Sequence, residues 1–206
     1  MNAGVELTER WPLASSLADV RDALLAAYAD PARGYHDTRH LTEVLDRLDE
    51  LPGGFDRRAV TLAAWFHDGV YDGEPGAEER SARWASSALS DHDPALVAEV
   101  VRLVRLTEQH HPADDDANGC ALSDADLAIL AAPAERYAEY VAAVRAEYAH
   151  VPEDAFRAGR AAILTDLLAK PHLFHTAYAR EHWETPARRN VAHEVGAMAA
   201  RGGSSG

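Results

Sequence analysis

Apolar residues recur three and four positions apart along most of this chain, and ten prolines interrupt the pattern at intervals of mostly about 20 residues. Alanine, leucine, arginine and glutamate dominate between the prolines, and strand-like alternation of β-branched residues is absent. Proline is tolerated where a helix begins or has ended, but not inside it. The pattern therefore predicts an all-α fold, a bundle of about eight to ten helices.

The prolines and glycines also set the predicted boundaries. We expect a single domain over residues 1–201, with a core at about 28–130 and C-terminal helices at about 133–200 that pack against it. Residues 112–123 are polar and irregular, and residues 202–206 are predicted to form a flexible tail. The predicted helices cover about residues 16–28, 37–51, 56–70, 77–89, 93–110, 124–130, 134–149, 153–168 and 186–200.

Composition narrows the classes of partner. The net charge of −14 argues against a nucleic acid polymer or an anionic membrane surface as a partner. It is compatible with a small phosphorylated substrate, because a metal ion and a few arginines can reverse the local field. The single cysteine, Cys120, excludes an intramolecular disulfide, and neither a membrane span nor a signal peptide is apparent. We expect a cytoplasmic protein, whose oligomeric state the sequence leaves open.

The most distinctive stretch ends the third predicted helix, where His67 is followed directly by Asp68. Adjacent helical residues point about 100° apart, so these two side chains can converge only on a point between them, such as a metal ion. Imidazole nitrogen and carboxylate oxygen suit first-row divalent metals. His40 begins the preceding helix, and a Pro-Gly-Gly turn should make the two helices antiparallel neighbours. His40 should therefore lie at the level of His67 and Asp68, while Asp126 arrives from a distant segment.

The order of His, His-Asp and Asp on a helical background resembles the HD-domain superfamily, and in particular its group of predicted metal-dependent HD phosphohydrolases. The resemblance runs from about Tyr28 to Val195 and departs at Ala77, where asparagine is expected. The motifs that carry it are Arg33-x-Tyr35-His36-x-x-x-His40, Trp65-Phe66-His67-Asp68-x-x-Tyr71-Asp72, Glu78-Glu79-x-Ser81-Ala82, Asp124-Ala125-Asp126-Leu127 and Glu184-x-x-Ala187-Arg188-x-Asn190.

The resemblance implies that His40, His67, Asp68 and Asp126 bind the metal. Asp124 is the rival for the last position, and is otherwise expected to be a helix cap. Two imidazoles favour Mn²⁺, Fe²⁺, Co²⁺, Ni²⁺ or Zn²⁺, although Mg²⁺ is also compatible. The implied activity is hydrolysis of a small phosphorylated compound, with nucleotides among the candidates, by metal-activated water.

Seven further residues are candidates for roles around this site. Arg33, Tyr35 and His110 would bind the substrate; for Arg33, a solvated surface position is the alternative. His110, or less favourably His111, could instead bind a second ion. The four remaining candidates would act in proton transfer, although the two glutamates could simply stabilise the start of a helix; they are His36, Asp72, Glu78 and Glu79.

Two other functions remain open at this point. Some HD proteins activate O₂ with two irons bridged by the aspartate, so a di-iron oxygenase is one alternative, and it would need the additional histidines as ligands. A non-catalytic HD domain that senses a ligand is the other. The intact ligand set argues against the sensing domain.

Overall fold

A computed structural model describes residues 7–13 and 16–202, with the side chains of 201 and 202 excepted, and this part of the chain contains helices and no strand. The predicted all-α fold of about eight to ten helices is confirmed. The α-helices are α1 (Ala18–Tyr28), α2 (Thr38–Glu50), α3 (Arg57–Phe66), α4 (Ala77–Ala88), α5 (Pro94–Leu106), α6 (Ala117–Leu127), α7 (Ala134–Glu147), α8 (Glu153–Ala169), α9 (Ala177–His182) and α10 (Glu184–Gly202), with a 3₁₀ helix at Ala128–Ala131.

Most of the predicted bounds agree with these within three residues. Helix α5, however, ends at Leu106, four residues before the predicted end, and three further features differ. Helix α3 ends at Phe66, four residues before the predicted end, so His67 and Asp68 follow the helix instead of lying within it. The polar segment predicted to be irregular is helical from Ala117 onward. The short helix α9 was not predicted, and most of the predicted flexible tail, residues 203–206, lies outside the described residues.

The early start of α6 has a clear physical cause. The side chain of Asp116 accepts a hydrogen bond from the backbone N–H of Gly119 at 2.9 Å, and its carbonyl accepts one from the N–H of Cys120 at 2.8 Å. These are the contacts of a helix N-cap. A Cβ atom on Gly119 would collide with the Asp116 carboxylate, so this glycine permits the close approach. One residue in the run of three aspartates, Asp116, is thus the N-cap of α6.

The chain divides into two compact units, the first ending at Asp126 and the second beginning at Leu127. In the first unit, α3 is the most buried helix, because apolar residues surround nearly its whole circumference. It packs against α2, α4 and α5, and it ends directly before His67. The prediction that both units form one domain remains a prediction.

The second unit is held partly by buried polar contacts. Glu194 of α10 accepts hydrogen bonds from Tyr137 and Arg160, so its buried carboxylate is paired. The side-chain amide of Asn190 donates to the carbonyls of Leu130 and Ala132, both at 2.8 Å. Part of the C-terminal motif that carries the family resemblance thus fixes backbone groups within this unit.

No helix in the described ranges is long and apolar enough to cross a bilayer.

The Asn190 contacts generate a stability prediction. Replacing Asn190 with alanine should lower the free energy of unfolding by about 2 kcal/mol, because two buried carbonyls would lose their donor. Urea denaturation would measure the change. His193→Ala, at an exposed position of the same helix, is the matched control and should stay within about 0.5 kcal/mol of wild type. Equal stabilities for the Asn190 and His193 variants would contradict the prediction.

Candidate metal centre

His40 is the third residue of α2 and is almost completely buried, at 2% exposure. The Asp37 side chain caps this helix by accepting hydrogen bonds from the backbone N–H groups of Arg39 and His40. The Tyr35 hydroxyl lies 3.0 Å from His40 Nδ1 and forms a hydrogen bond with it. Because Nδ1 is occupied in this way, the other ring nitrogen, Nε2, is the one available to a metal.

His67 is the C-cap residue of α3 and is 1% exposed. Its Nδ1 lies 2.8 Å from the carbonyl oxygen of Ala64, to which the Nδ1–H donates. The proton on Nδ1 leaves the lone pair of Nε2 available. His67 Nε2 lies 3.1 Å from His40 Nε2, so the two lone pairs meet in the same buried space.

Two carboxylates complete the cluster. Asp68 Oδ2 lies 3.0 Å from His67 Nε2 and 3.2 Å from His40 Nε2. Asp126 Oδ1 lies 3.2 Å from His40 Nε2 and 3.5 Å from His67 Nε2. Neighbouring ligand atoms around a cation with bonds of about 2.1 Å lie about 3.0 Å apart at right angles and about 3.4 Å apart in a tetrahedron. The spacings within the group of His40, His67 and Asp126 therefore fit a single metal ion. Asp68 lies beside both imidazoles, and its role as a fourth ligand remains a prediction.

The predicted grouping of His40, His67 and Asp126 is confirmed as a buried group that could hold a metal ion. Asp126, rather than its rival Asp124, belongs to this group. Asp124 is fully buried in the interior of α6, so the prediction that it caps a helix was wrong. Asp116 caps α6 instead, because this helix begins seven residues earlier than predicted.

Electrostatics favour a cation at this point. Burial alone would lower the pKa of His40, but the carboxylates of Asp126 and Asp68 outweigh it and raise this pKa to about 9. Burial would likewise lower the pKa of His67, but the Asp68 carboxylate outweighs this effect and raises the pKa well above its usual value. For Asp68 and Asp126, burial would raise the pKa, but the facing histidines hold it below its usual range. The group thus attracts positive charge, as protons or as a metal.

One buried oxygen provides an independent test of fit. Asp68 Oδ2 lies close to both imidazoles, but neither approach has hydrogen-bond geometry, so this atom has no hydrogen-bond donor among the described residues. A buried carboxylate oxygen without a donor is costly. Coordination to a cation would remove that cost, so the residues present fit a metal ion.

His110 lies on the other side of Asp126. Its Nε2 is 3.4 Å from Asp126 Oδ2, and its Nδ1 is 3.2 Å from the hydroxyl of Ser123. The backbone of His110 adopts a left-handed conformation, with φ of 50°, four residues beyond the end of α5. Asp126 therefore presents one oxygen to the two buried histidines and the other to His110. The substrate-binding role predicted for His110 remains a prediction.

The two other predicted substrate ligands make contacts within the protein. The Tyr35 hydroxyl holds His40, as described above. The Arg33 guanidinium donates to the backbone carbonyls of His36 at 3.0 Å, Asp68 at 2.7 Å and Gly69 at 3.1 Å. Contact with a substrate stays a prediction for both residues, but Tyr35 contacts the side chain of His40 and Arg33 bonds the backbone of Asp68.

His36 is the predicted catalytic residue beside the cluster. Its ring stacks on Tyr71, with centroids 3.9 Å apart, and lies 5.5 Å from the ring of His40. Its side chain is half-buried. His36 therefore lies next to the buried His40 at a partly accessible position.

The other predicted catalytic residues lie on or after the exposed loop that leads into α4. Asp72 is paired with both terminal nitrogens of Arg80, which holds the pKa of this carboxyl well below its usual range. Glu79 accepts hydrogen bonds from Arg105 and Arg83, which lower its pKa to about 2. These ion pairs keep both carboxylates charged.

Glu78 occupies the first turn of α4 and is half-buried. That position agrees with the alternative considered for it, stabilisation of the start of a helix. The catalytic roles of Asp72, Glu78 and Glu79 remain predictions.

Sequence reasoning missed Tyr28, the last residue of α1. Tyr28 is completely buried, and its hydroxyl accepts a hydrogen bond from the backbone N–H of Asp68 at 3.3 Å. In the sequence it appears as one more apolar residue at the end of a helix, so no signal distinguished it. Ser81, by contrast, belongs to one of the motifs noted above, and its hydroxyl accepts a hydrogen bond from the N–H of Val70 at 2.9 Å.

Comparison of the chain with protein-family models, with curated proteins and with solved structures finds no match. The class defined by fold and site is therefore an all-α protein with a buried His/Asp group that could bind a metal. Membership of the HD superfamily stays a prediction that rests on the motifs.

The histidine pKa values predict a pH dependence of metal binding. His40 carries a proton below about pH 9, so a cation must displace that proton, and affinity should increase as the pH rises. The expected change is about tenfold per pH unit for each proton displaced. Titration with Mn²⁺ by calorimetry at about pH 6, 7 and 8, in buffers of different ionisation enthalpy, would measure affinity and proton release. A dissociation constant that does not change across this range would contradict the prediction.

Proposed function

We propose that this protein is a metal-dependent phosphohydrolase of the HD type that acts on a small phosphorylated compound. The observation that carries the proposal is that the buried imidazoles of His40 and His67 lie 3.0–3.5 Å from each other and from the nearest carboxylate oxygens, which belong to Asp68 and Asp126. These side chains come from segments up to 86 residues apart, so local folding alone does not explain why they lie together. Both their chemistry and their order along the chain match the motif.

The donor set indicates which metals are suitable. Two imidazoles and two carboxylates favour a first-row transition metal over Mg²⁺. When bound, such an ion would polarise the phosphoryl group and lower the pKa of a coordinated water toward neutrality. With both carboxylates ionised and both imidazoles neutral, the ligands carry a charge of about −2, which a divalent ion balances.

The surrounding residues support distinct roles. His36 is the favoured proton-transfer group, because its half-buried ring stands beside His40. Asp72 and Glu79 are already engaged by arginines and would have to leave these ion pairs to exchange a proton. The cation would be the principal positive charge for the phosphoryl group, because Arg33 directs three N–H groups to backbone carbonyls.

A metal-by-substrate screen tests the proposal. The purified chain would be loaded in turn with Mn²⁺, Fe²⁺, Co²⁺, Ni²⁺, Zn²⁺ and Mg²⁺, and phosphate release from nucleotides and sugar phosphates would be followed. We expect at least one combination to turn over. The double variant His67→Ala, Asp68→Ala should be folded, free of metal and slower by at least about a thousandfold.

A second double variant controls for the effect of removing any histidine and aspartate. His193 and Asp114 are exposed, and His193→Ala, Asp114→Asn should retain wild-type metal content and activity. Wild-type protein that binds a cation but hydrolyses none of the compounds would count against the hydrolase proposal. Equal loss in both double variants would also count against the assigned site.

The position of His110 favours a second candidate function, the di-iron oxygenase. The two carboxylate oxygens of Asp126 face different histidines, an arrangement that would allow this carboxylate to bridge two ions. Consumption of O₂ by the iron-loaded protein, together with an optical signature of coupled iron, would support this candidate. Hydrolysis under anaerobic conditions would favour the phosphohydrolase.

Metal counting tests the bridge directly. If His110 binds a second ion, the wild-type chain should contain about two metal ions and His110→Ala about one. His111→Ala, at the exposed neighbouring position, should remain at the wild-type value. Elemental analysis after removal of loosely bound metal would give the ratio. A single ion in the wild-type chain would exclude the bridged arrangement.

A further inference from the structure

The turn that carries the adjacent His-Asp pair is held through its backbone by side chains from other segments. This turn comprises residues 67–70 and follows the end of α3, where the regular hydrogen bonding of the helix stops. Within the turn, the N–H of Gly69 donates to the carbonyl of Phe66 at 2.9 Å. Side chains of α1, of the segment before α2 and of α4 also bond the backbone of this turn.

Arg33 makes the most extensive of these contacts. Its guanidinium donates to the carbonyls of Asp68 and Gly69, and a third N–H reaches the carbonyl of His36. The guanidinium also lies over the ring of Tyr28, 5.1 Å from the centroid. A planar group that bonds three carbonyls and packs on an aromatic face is fixed in position. Arg33 thereby joins the His-Asp turn to the segment that precedes His40.

Tyr28 and Ser81 hold the same turn at other points. The Tyr28 hydroxyl accepts from the N–H of Asp68, while Arg33 bonds the Asp68 carbonyl, so both backbone polar groups of this ligand are engaged. The Ser81 hydroxyl, on α4, accepts from the N–H of Val70. Tyr28 and Ser81 are both fully buried, so these contacts are shielded from competing water.

We infer that Arg33 and Tyr28 are positioning residues of the metal site, which act through the backbone of Asp68 and not through contact with substrate. The inference rests on the proposed function only insofar as the cluster binds a cation. The orientation of the Asp68 backbone sets the position of its carboxylate. In a turn, this backbone lacks the regular helical hydrogen bonds, so other contacts must fix its orientation. Metal-supporting contacts of this kind commonly change affinity by about 10- to 100-fold when they are removed.

The test measures Co²⁺ binding by the full chain, with Arg33→Gln, Arg33→Lys and Tyr28→Phe as variants. Visible absorption of bound Co²⁺ reports coordination geometry, which a purely structural role would leave unchanged. We expect Arg33→Gln to weaken Co²⁺ binding by about 10- to 100-fold and to alter the absorption band. Arg33→Lys should also lack the wild-type Co²⁺ affinity and absorption band, because a lysine cannot bond three carbonyls in a plane. Tyr28→Phe should show a smaller change in the same direction.

Arg145 provides a matched control in the second unit. It also donates to two backbone carbonyls, those of Tyr148 and Val151, and lies 4.8 Å from the ring centroid of Phe156. Arg145→Gln should lower the melting temperature of the metal-free chain, as Arg33→Gln should, but leave the affinity and spectrum of Co²⁺ at wild-type values. This comparison separates a general loss of stability from a change at the ligands.

The remaining outcomes are also distinct. Wild-type affinity and spectrum in Arg33→Gln would overturn the inference, most directly if the same variant raised KM for a phosphorylated substrate. Wild-type protein that binds no cation would overturn both the inference and the proposed function. Co²⁺ binding that responds to Arg33→Gln in a chain without hydrolytic activity would support the inference and overturn only the hydrolase proposal.

Discussion

The repulsion among four electron-rich atoms in a buried space is the constraint on which the rest of this site depends. Within the first unit, two imidazole nitrogens lie 3.1 Å apart, and each lies 3.0–3.5 Å from two carboxylate oxygens. In water such groups would separate, so the surrounding fold must hold them together, and positive charge must compensate them. The raised histidine pKa values and the lowered aspartate pKa values are two expressions of this one requirement.

The fold meets the requirement by placing its most buried helix next to the cluster. Helix α3 has little polar surface, and its packing against three other helices leaves it few alternative positions. The end of such a helix is a rigid point from which His67 can be presented. The C-terminal end of a helix also carries partial negative charge, which adds to the attraction for a cation. Rigid packing and electrostatic preference thus act at the same place.

The parts of the site that were predicted correctly are those in which residue type and spacing determine the outcome. His40, His67 and Asp126 lie together because α2, the end of α3 and α6 bring three metal-binding residue types to the same place. The role of Arg33 could not be predicted in the same way, since a guanidinium suits a phosphate and a backbone carbonyl equally well.

The errors in the predicted helices have related causes. Asp116 belongs to a run of acidic residues, in which the single capping aspartate is not distinguishable by composition. The end of α3 depends on a turn stabilised by distant residues, Arg33 and Tyr28 among them, which local periodicity does not record. The start of α6 and the end of α3 therefore depend on contacts that the local pattern does not show. The contact of Tyr28 with the Asp68 backbone was missed for the same reason.

The turn at residues 67–70 is fixed separately from the loop that follows it. This separation affects how the sequence of such a protein could vary. Ser81 fixes the backbone at Val70, whereas the following residues, 72–76, are exposed and include two glycines with positive φ, Gly73 and Gly76. Exposed loop tips with this composition accept insertions and deletions readily. Length variation at this point would change the surface next to the turn without moving His67 and Asp68. Under the proposed function, new selectivity could therefore arise while the candidate metal site is retained.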